Sequence, residues 1–103
     1  MKAIVWGNTF ERASKKLDEI EKEYERYRTA KLIKKTKTKS CHILKFDNND
    51  YWIAQSARES VKGSRCNISY IDSIIPLEFI DTVIKHCTSA GPYQAIKYFY
   101  TGE

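Results

Sequence analysis

The residues best suited to chemistry in this sequence are basic side chains that could bind phosphate groups. Five lysines fall within residues 31–39, with threonines between them, and three more cations lie within residues 58–65. Tyr51 and Trp52 belong to an adjoining apolar run, and one of them could stack on an unpaired base. The candidate nucleic-acid-binding residues are Lys34, Lys35, Lys37, Trp52, Arg58, Lys62 and Arg65.

These lysines have a second interpretation. Natural proteins place lysine on edge strands to prevent pairing with another sheet, and the aromatic residues would then belong to the core. A nucleic-acid surface instead predicts an affinity that falls steeply with salt. The sequence leaves both interpretations open.

A turn with the sequence Gly7-Asn8-Thr9 is the second candidate site. It follows the apolar run 3–6 and precedes a long helical pattern, and the N–H groups of such a turn attract anions. A phosphate-binding loop needs the spacing G-x-x-x-x-G-K-[ST], whereas this turn has one glycine and no lysine before Lys15. Taken alone, it is an ordinary strand-to-helix turn.

Four segments, taken in order, resemble the central part of a phage terminase-type or helicase-type ATPase core. They are the Val5–Thr9 turn, the hairpin of Ile43–Phe46 and Tyr51–Ile53, the Lys62–Arg65 loop, and the hydrophobic run 68–71 that ends in Asp72. The resemblance implies nucleotide binding by Gly7, Asn8, Thr9 and Asp72, with Asp72 holding Mg²⁺.

The chain departs from that family in three respects. It has no loop lysine, and Ser73 follows Asp72 where the family has a glutamate. Its 103 residues are also fewer than a complete motor domain needs. The resemblance therefore implies a remnant or truncated relative, and Asp72 has the alternative role of a cap or turn residue ahead of Pro76.

Cysteine and histidine side chains could in principle bind zinc, since Cys41-His42, Cys66 and His86-Cys87 supply enough ligands. Neighbouring residues of a strand face opposite ways, however, so Cys41 and His42 cannot easily share an ion. Cys87 falls on the apolar face of a helix. We therefore predict buried thiols, no metal site and no cofactor. No nucleophile or carboxylate pair stands out, which favours a noncatalytic protein.

A long helix over residues 9–29 is the most clearly encoded element. Its apolar residues recur at spacings of 3, 4, 3, 4 and 3 from Phe10 to Tyr27. Asn8 is the predicted N-cap, with Glu11 completing a capping box.

The other predicted elements are shorter. They are an extended edge segment at 31–39, a hairpin of 41–46 and 51–55, an exposed basic loop at 56–67, a strand at 68–72, a helix at 76–88 and a last strand at 93–100. Together they predict a single α/β domain spanning residues 1–103, with a central sheet and two helices packed on it.

Composition narrows the functional classes. The formal net charge of +5 excludes an acidic nucleic-acid mimic, and 42% hydrophobic residues exclude disorder. No apolar run approaches the length of a membrane span, and the odd number of cysteines indicates reduced thiols, so we expect a cytoplasmic protein without a membrane partner. A symmetric homodimer is compatible with the long apolar stripe.

Three functions fit these observations. The first is a noncatalytic nucleic-acid-associated accessory protein of phage or mobile-element origin. The alternative is a protein-binding phage inhibitor of a host or defence enzyme, and the third is a residual nucleotide-binding domain.

Overall fold

The structure is a computed structural model that describes residues 1–57, 66–84, 87–88 and 95–99. Its strands are β1 (Lys2–Gly7), β2 (Leu32–Lys37), β3 (His42–Phe46), β4 (Tyr51–Ser56), β5 (Ile68–Asp72) and β6 (Ala95–Phe99). Helix α1 spans Phe10–Tyr27, and helix α2 spans Leu77–Phe79 and runs directly into a π-helical turn at Ile80–Ile84. The predicted α/β class is confirmed.

The six strands form one mixed sheet in the order β2-β3-β4-β1-β5-β6. Strands β2, β3 and β4 pair in antiparallel fashion, so the predicted hairpin and the predicted edge strand are both confirmed. Strand β1 lies between β4 and β5 and is parallel to both, and β6 is parallel to β5. The carboxyl ends of β1 and β5 therefore meet at one edge of the sheet.

The N-cap of helix α1 lies one residue later than predicted. Thr9 is the N-cap, since its hydroxyl accepts a hydrogen bond from the Arg12 N–H, and Asn8 stands one residue before it. The predicted stripe packs on the sheet through Ala13, Leu17 and Ile20, all of them buried. Arg28 ends the helix in the left-handed conformation, with φ of 50°.

The sheet has a core on each face. On the α1 face, α1 packs on side chains of β1, β3 and β4 that include Val5, Leu44, Phe46 and Trp52. On the opposite face, which we call the second-helix face, Ile80 and Ile84 pack on Ile4, Trp6 and Ile71. Pro76 is the N-cap of α2 and not the first residue of the predicted helix, and Leu77, which the apolar pattern of that helix placed on its buried face, is 72% exposed.

Parts of three predicted elements lie outside the described residues: most of the basic loop, the end of the second helix, and the start of the last strand. Among the described helices, none is long and apolar enough to cross a membrane.

Candidate functional site

The turn between β1 and α1 is short and tightly packed. Only Asn8 and Thr9 separate the end of β1 from the start of α1. A Cβ atom on Gly7 would lie 2.5 Å from the backbone nitrogen of Ala13 and 2.9 Å from its Cβ. Glycine is required here because the first turns of α1 lie directly against the strand end.

Asp72 lies beside this turn, at the carboxyl end of β5, and is fully buried. Its carboxylate accepts hydrogen bonds from Nε and Nη2 of Arg12, at 2.5 and 3.1 Å. The Asn8 N–H also donates to it, at 3.2 Å, and the Ile74 N–H at 3.4 Å. The carboxylate therefore occupies the position at the start of α1 where a phosphate would be attracted.

Opposing effects act on the pKa of Asp72. Burial alone raises it, but the hydrogen bonds from Arg12, Asn8 and Ile74, together with the charge of Arg12, hold this pKa below its usual value. Asp72 is thus ionised at neutral pH. It balances Arg12, a cation that would otherwise be unfavourable in the first turn of a helix.

The four predicted nucleotide-site residues accordingly lie together but have structural partners. Gly7 avoids a steric clash with α1, Thr9 caps that helix, and the Asn8 N–H donates a hydrogen bond to Asp72. A phosphate entering this turn would meet a buried negative charge. Arg12 was not predicted from the sequence, although an arginine in the first turn of a helix already indicates a nearby anion.

The predicted lysines divide between the two faces of the sheet. Lys35 and Lys37 lie on the α1 face, where Nζ of Lys35 is 2.9 Å from Glu21 and Nζ of Lys37 is 2.8 Å from Asp18. Lys34 points to the second-helix face, because successive side chains of a strand alternate. It forms no ion pair within the described part of the chain.

Trp52 lies in the core rather than on the surface. It is 4% exposed, and its indole N–H donates to the Tyr24 hydroxyl at 3.0 Å. Its ring also contacts Tyr70, with 5.4 Å between the centroids. Trp52 therefore offers no free ring face to a base. Arg58, Lys62 and Arg65 lie outside the described residues.

Strand register places three lysines and a tyrosine in one line on the second-helix face. Lys34 is opposite Lys45, Lys45 is opposite Tyr51, and Tyr51 is opposite Lys2. We call Lys2, Lys34, Lys45 and Tyr51 the lysine row. Nζ of Lys2 lies 5.9 Å from the centre of the Tyr51 ring.

The lysine row differs from Lys35 and Lys37 in its electrostatics. Its lysines are exposed, and among the described residues none has an acidic partner. Sequence reasoning missed Lys2 and Lys45, and it selected Trp52 over Tyr51 as the stacking residue. Alternation along β3 and β4 already predicts that Lys45 and Tyr51 lie on the other face of the sheet from the buried Leu44 and Trp52. The pairing of β1 with β4, which brings Lys2 beside Tyr51, has no local sequence signal.

The sheet separates two of the cysteines considered as zinc ligands, Cys66 and Cys87, from His42, whereas the half-buried Cys41 directly precedes His42. Cys66 and Cys87 are buried in the core of the second-helix face. His42 is buried on the α1 face, where Ser14 of α1 contacts its ring. His86 lies outside the described residues. Cys66 and Cys87 therefore cannot share an ion with His42.

No protein-family model matches the chain, and no curated protein sequence matches it. A similar solved structure is that of the large terminase from a thermophilic bacteriophage, with a TM-score of 0.64 and 12% sequence identity. The similarity covers 96% of this chain and 24% of the terminase, so this chain spans about a quarter of that protein's length. The terminase resemblance is thus confirmed at the level of the fold.

Proposed function

We propose that this chain is a small noncatalytic nucleic-acid-associated accessory protein of phage or mobile-element origin, acting in the cytoplasm. The observation that carries the proposal is the lysine row, in which three lysines without described acidic partners flank a half-buried tyrosine. The terminase-like fold supports the phage origin.

The lysine row has the shape of a track for a nucleic-acid backbone. It crosses β2, β3, β4 and β1, and three strand spacings of about 4.8 Å give it a length of roughly 14 Å. Lysine binds phosphate as a flexible point charge. Tyr51 sits among these cations and supplies a ring for stacking, a combination typical of proteins that bind single strands.

The sequence-predicted cations enter this proposal unequally. Lys34 belongs to the row, whereas Lys35 and Lys37 are already neutralised by Glu21 and Asp18. Arg58, Lys62 and Arg65 stay predicted contributors, because they lie outside the described residues. We assign the stacking role to Tyr51 in place of the buried Trp52.

The alternative function, capture of a host or defence enzyme, has one observation in its favour. Ile74, Leu77 and Tyr98 are exposed by 53%, 72% and 55%. The Ser73 N–H donates to the Phe99 carbonyl, so the segments that carry these side chains meet at one end of the sheet. Exposed apolar groups of this kind suit a protein partner.

Fluorescence anisotropy with labelled single-stranded DNA, duplex DNA and RNA tests the proposal over ~50 to ~200 mM salt. The test variant is Lys34→Gln with Lys45→Gln, and its matched control is Lys35→Gln with Lys37→Gln. Both pairs remove two positive charges, from opposite faces of the sheet. We expect the log–log salt slope on a single strand to fall by about 0.7 per lysine lost in the test variant, with little change in the control.

Two results would contradict this assignment. Equal weakening by both double variants would mean that binding follows net charge and not the lysine row. Absence of binding by the wild-type protein at low salt would leave the lysines as edge protection, and retention of a partner from host lysate would then favour the inhibitor function.

A further inference from the structure

A buried histidine on the α1 face lacks one of its hydrogen bonds. His42 is fully buried on β3, and its Nδ1 lies 2.8 Å from the Ser14 hydroxyl. Its Nε2 has no hydrogen-bond partner among the described residues. An unpaired polar atom in a protein interior costs free energy, so a ligand that binds this nitrogen would be favoured.

Two carboxylates of α1 face that nitrogen. Asp18 Oδ1 is 3.8 Å from Nε2, and one ligand atom from each of Asp18, Glu21 and His42 lies within 4.8 Å of the other two. Residues three and four apart share a helix face, so Ser14, Asp18 and Glu21 all lie above the His42 ring. The geometry thus gathers one imidazole and two carboxylates at a single point.

The hydrogen bond at Nδ1 of His42 suits a ligand role for Nε2. When Nδ1–H donates to Ser14, Nε2 presents a lone pair toward the carboxylates. Histidine ligands of metal ions have this arrangement, in which the second ring nitrogen is fixed by a neighbouring acceptor.

We propose that Asp18, Glu21 and His42 form a binding site for one zinc ion. Imidazole with carboxylates suits zinc and related transition metals, whereas Ca²⁺ and Mg²⁺ take mainly oxygen ligands. Zinc ligands at about 2.0–2.2 Å in a tetrahedron lie roughly 3.4 Å from one another. Small side-chain movements would close the 3.8 Å separation of Nε2 and Oδ1 to that value.

Two lysines compete with the ion. Lys37 Nζ donates to both oxygens of Asp18, at 3.0 and 2.8 Å, and Lys35 Nζ lies 2.9 Å from Glu21. These two ammonium groups carry the same total charge as one zinc ion. Zinc would therefore displace them toward solvent, where both side chains are already partly exposed.

Titration calorimetry with zinc chloride, supported by the visible absorption of bound Co²⁺, tests the site on the full chain. We expect one ion per chain. Asp18→Asn and Glu21→Gln should each weaken binding at least about tenfold, and Ser14→Ala about tenfold, because it frees the ring of His42. These three residues contact solvent, so their variants keep a folded protein where His42→Ala is at risk.

Lys37→Gln gives the opposite expectation: the affinity for zinc should rise several-fold, since a competing cation is lost. Cys41→Ser is the matched control for adventitious binding by a thiol, and it should leave the affinity unchanged. Absence of zinc binding by the wild-type chain would overturn the proposal. Binding that survives Asp18→Asn and Glu21→Gln but is lost on replacing the cysteines would overturn it as well.

Discussion

Arg12 and Asp72 are 60 residues apart in the sequence and form a two-pronged ion pair at the carboxyl end of the parallel strands. The pair joins the first turn of α1 to the end of β5, the strand next to β1. It uses the carboxylate of Asp72, for which the sequence resemblance implied a role in holding Mg²⁺. In this chain the Asp72 carboxylate is therefore already bound by Arg12 at that end of the sheet.

A double-mutant cycle should show strong coupling across this pair. Arg12→Leu leaves a fully buried carboxylate without its main partner, and we expect a loss of about 3 kcal/mol in the free energy of unfolding. Replacing both residues with leucine should cost less than the sum of the single changes, because no charge is then left unpaired. Urea unfolding measures all three; additive losses would contradict the coupling.

Acid should weaken the fold through the same carboxylate. The pKa of Asp72 is held below its usual value, so its contribution to stability is complete above the unfolded pKa of about 3.9 and is lost as pH falls through the lower folded pKa. Urea unfolding at pH 7 and in the acid range measures the loss. Asp72→Asn should flatten this dependence, and an unchanged profile would show that other carboxylates dominate it.

Gly7 should be the least replaceable residue of the turn. A Cβ atom there overlaps the backbone and the Cβ of Ala13, so Gly7→Ala must displace α1, and we expect a loss of about 2 kcal/mol or more. Asn8→Ala is the matched control, since Asn8 contributes its backbone N–H to Asp72. Equal losses from the two substitutions, measured by thermal unfolding, would contradict the steric argument.

Local patterns were sufficient to predict most of the fold. The spacing of apolar residues from Phe10 to Tyr27 predicts α1, and the polar turn at residues 47–50 predicts the hairpin of β3 and β4. The cap was displaced by one residue, because Asn8 and Thr9 both have side chains able to cap. Which of the two residues caps α1 depends on how the helix packs against Gly7 and β1, and this tertiary contact has no local sequence signal.

The candidate site was less predictable because its partners are distant in sequence. Alternation along β2 separates Lys34 from Lys35 and Lys37, and this signal was available before the structure. The alignment of Lys45 and Tyr51 with Lys2 depends instead on the parallel pairing of β1 with β4. The contact of His42 with Ser14 likewise needs α1 to cross β3 at one particular point.

ATP should not bind at the turn between β1 and α1. The Asn8 N–H and Arg12 already bind the Asp72 carboxylate, and an incoming phosphate would have to displace that buried charge. Calorimetry with ATP and Mg²⁺ at about millimolar concentration should therefore show no heat of binding, which would mean a Kd weaker than about 1 mM. If the wild-type protein binds ATP and Asp72→Asn abolishes that binding, the result would favour the residual nucleotide-binding function.

Tyr24 should ionise only in strongly alkaline solution. Burial raises the pKa of its phenol to about 12, supported by the hydrogen bond that its hydroxyl donates to Asp50 at 2.7 Å. Because the folded pKa exceeds the unfolded value of about 10, the stability linked to this proton is complete below pH 10 and is lost as pH rises through the folded pKa. The difference between ultraviolet titrations of the wild-type protein and Tyr24→Phe isolates this ionisation. Asp50→Asn removes the nearby anion and should lower the midpoint of the Tyr24 titration toward the usual value for tyrosine. An unchanged midpoint would contradict the role of Asp50.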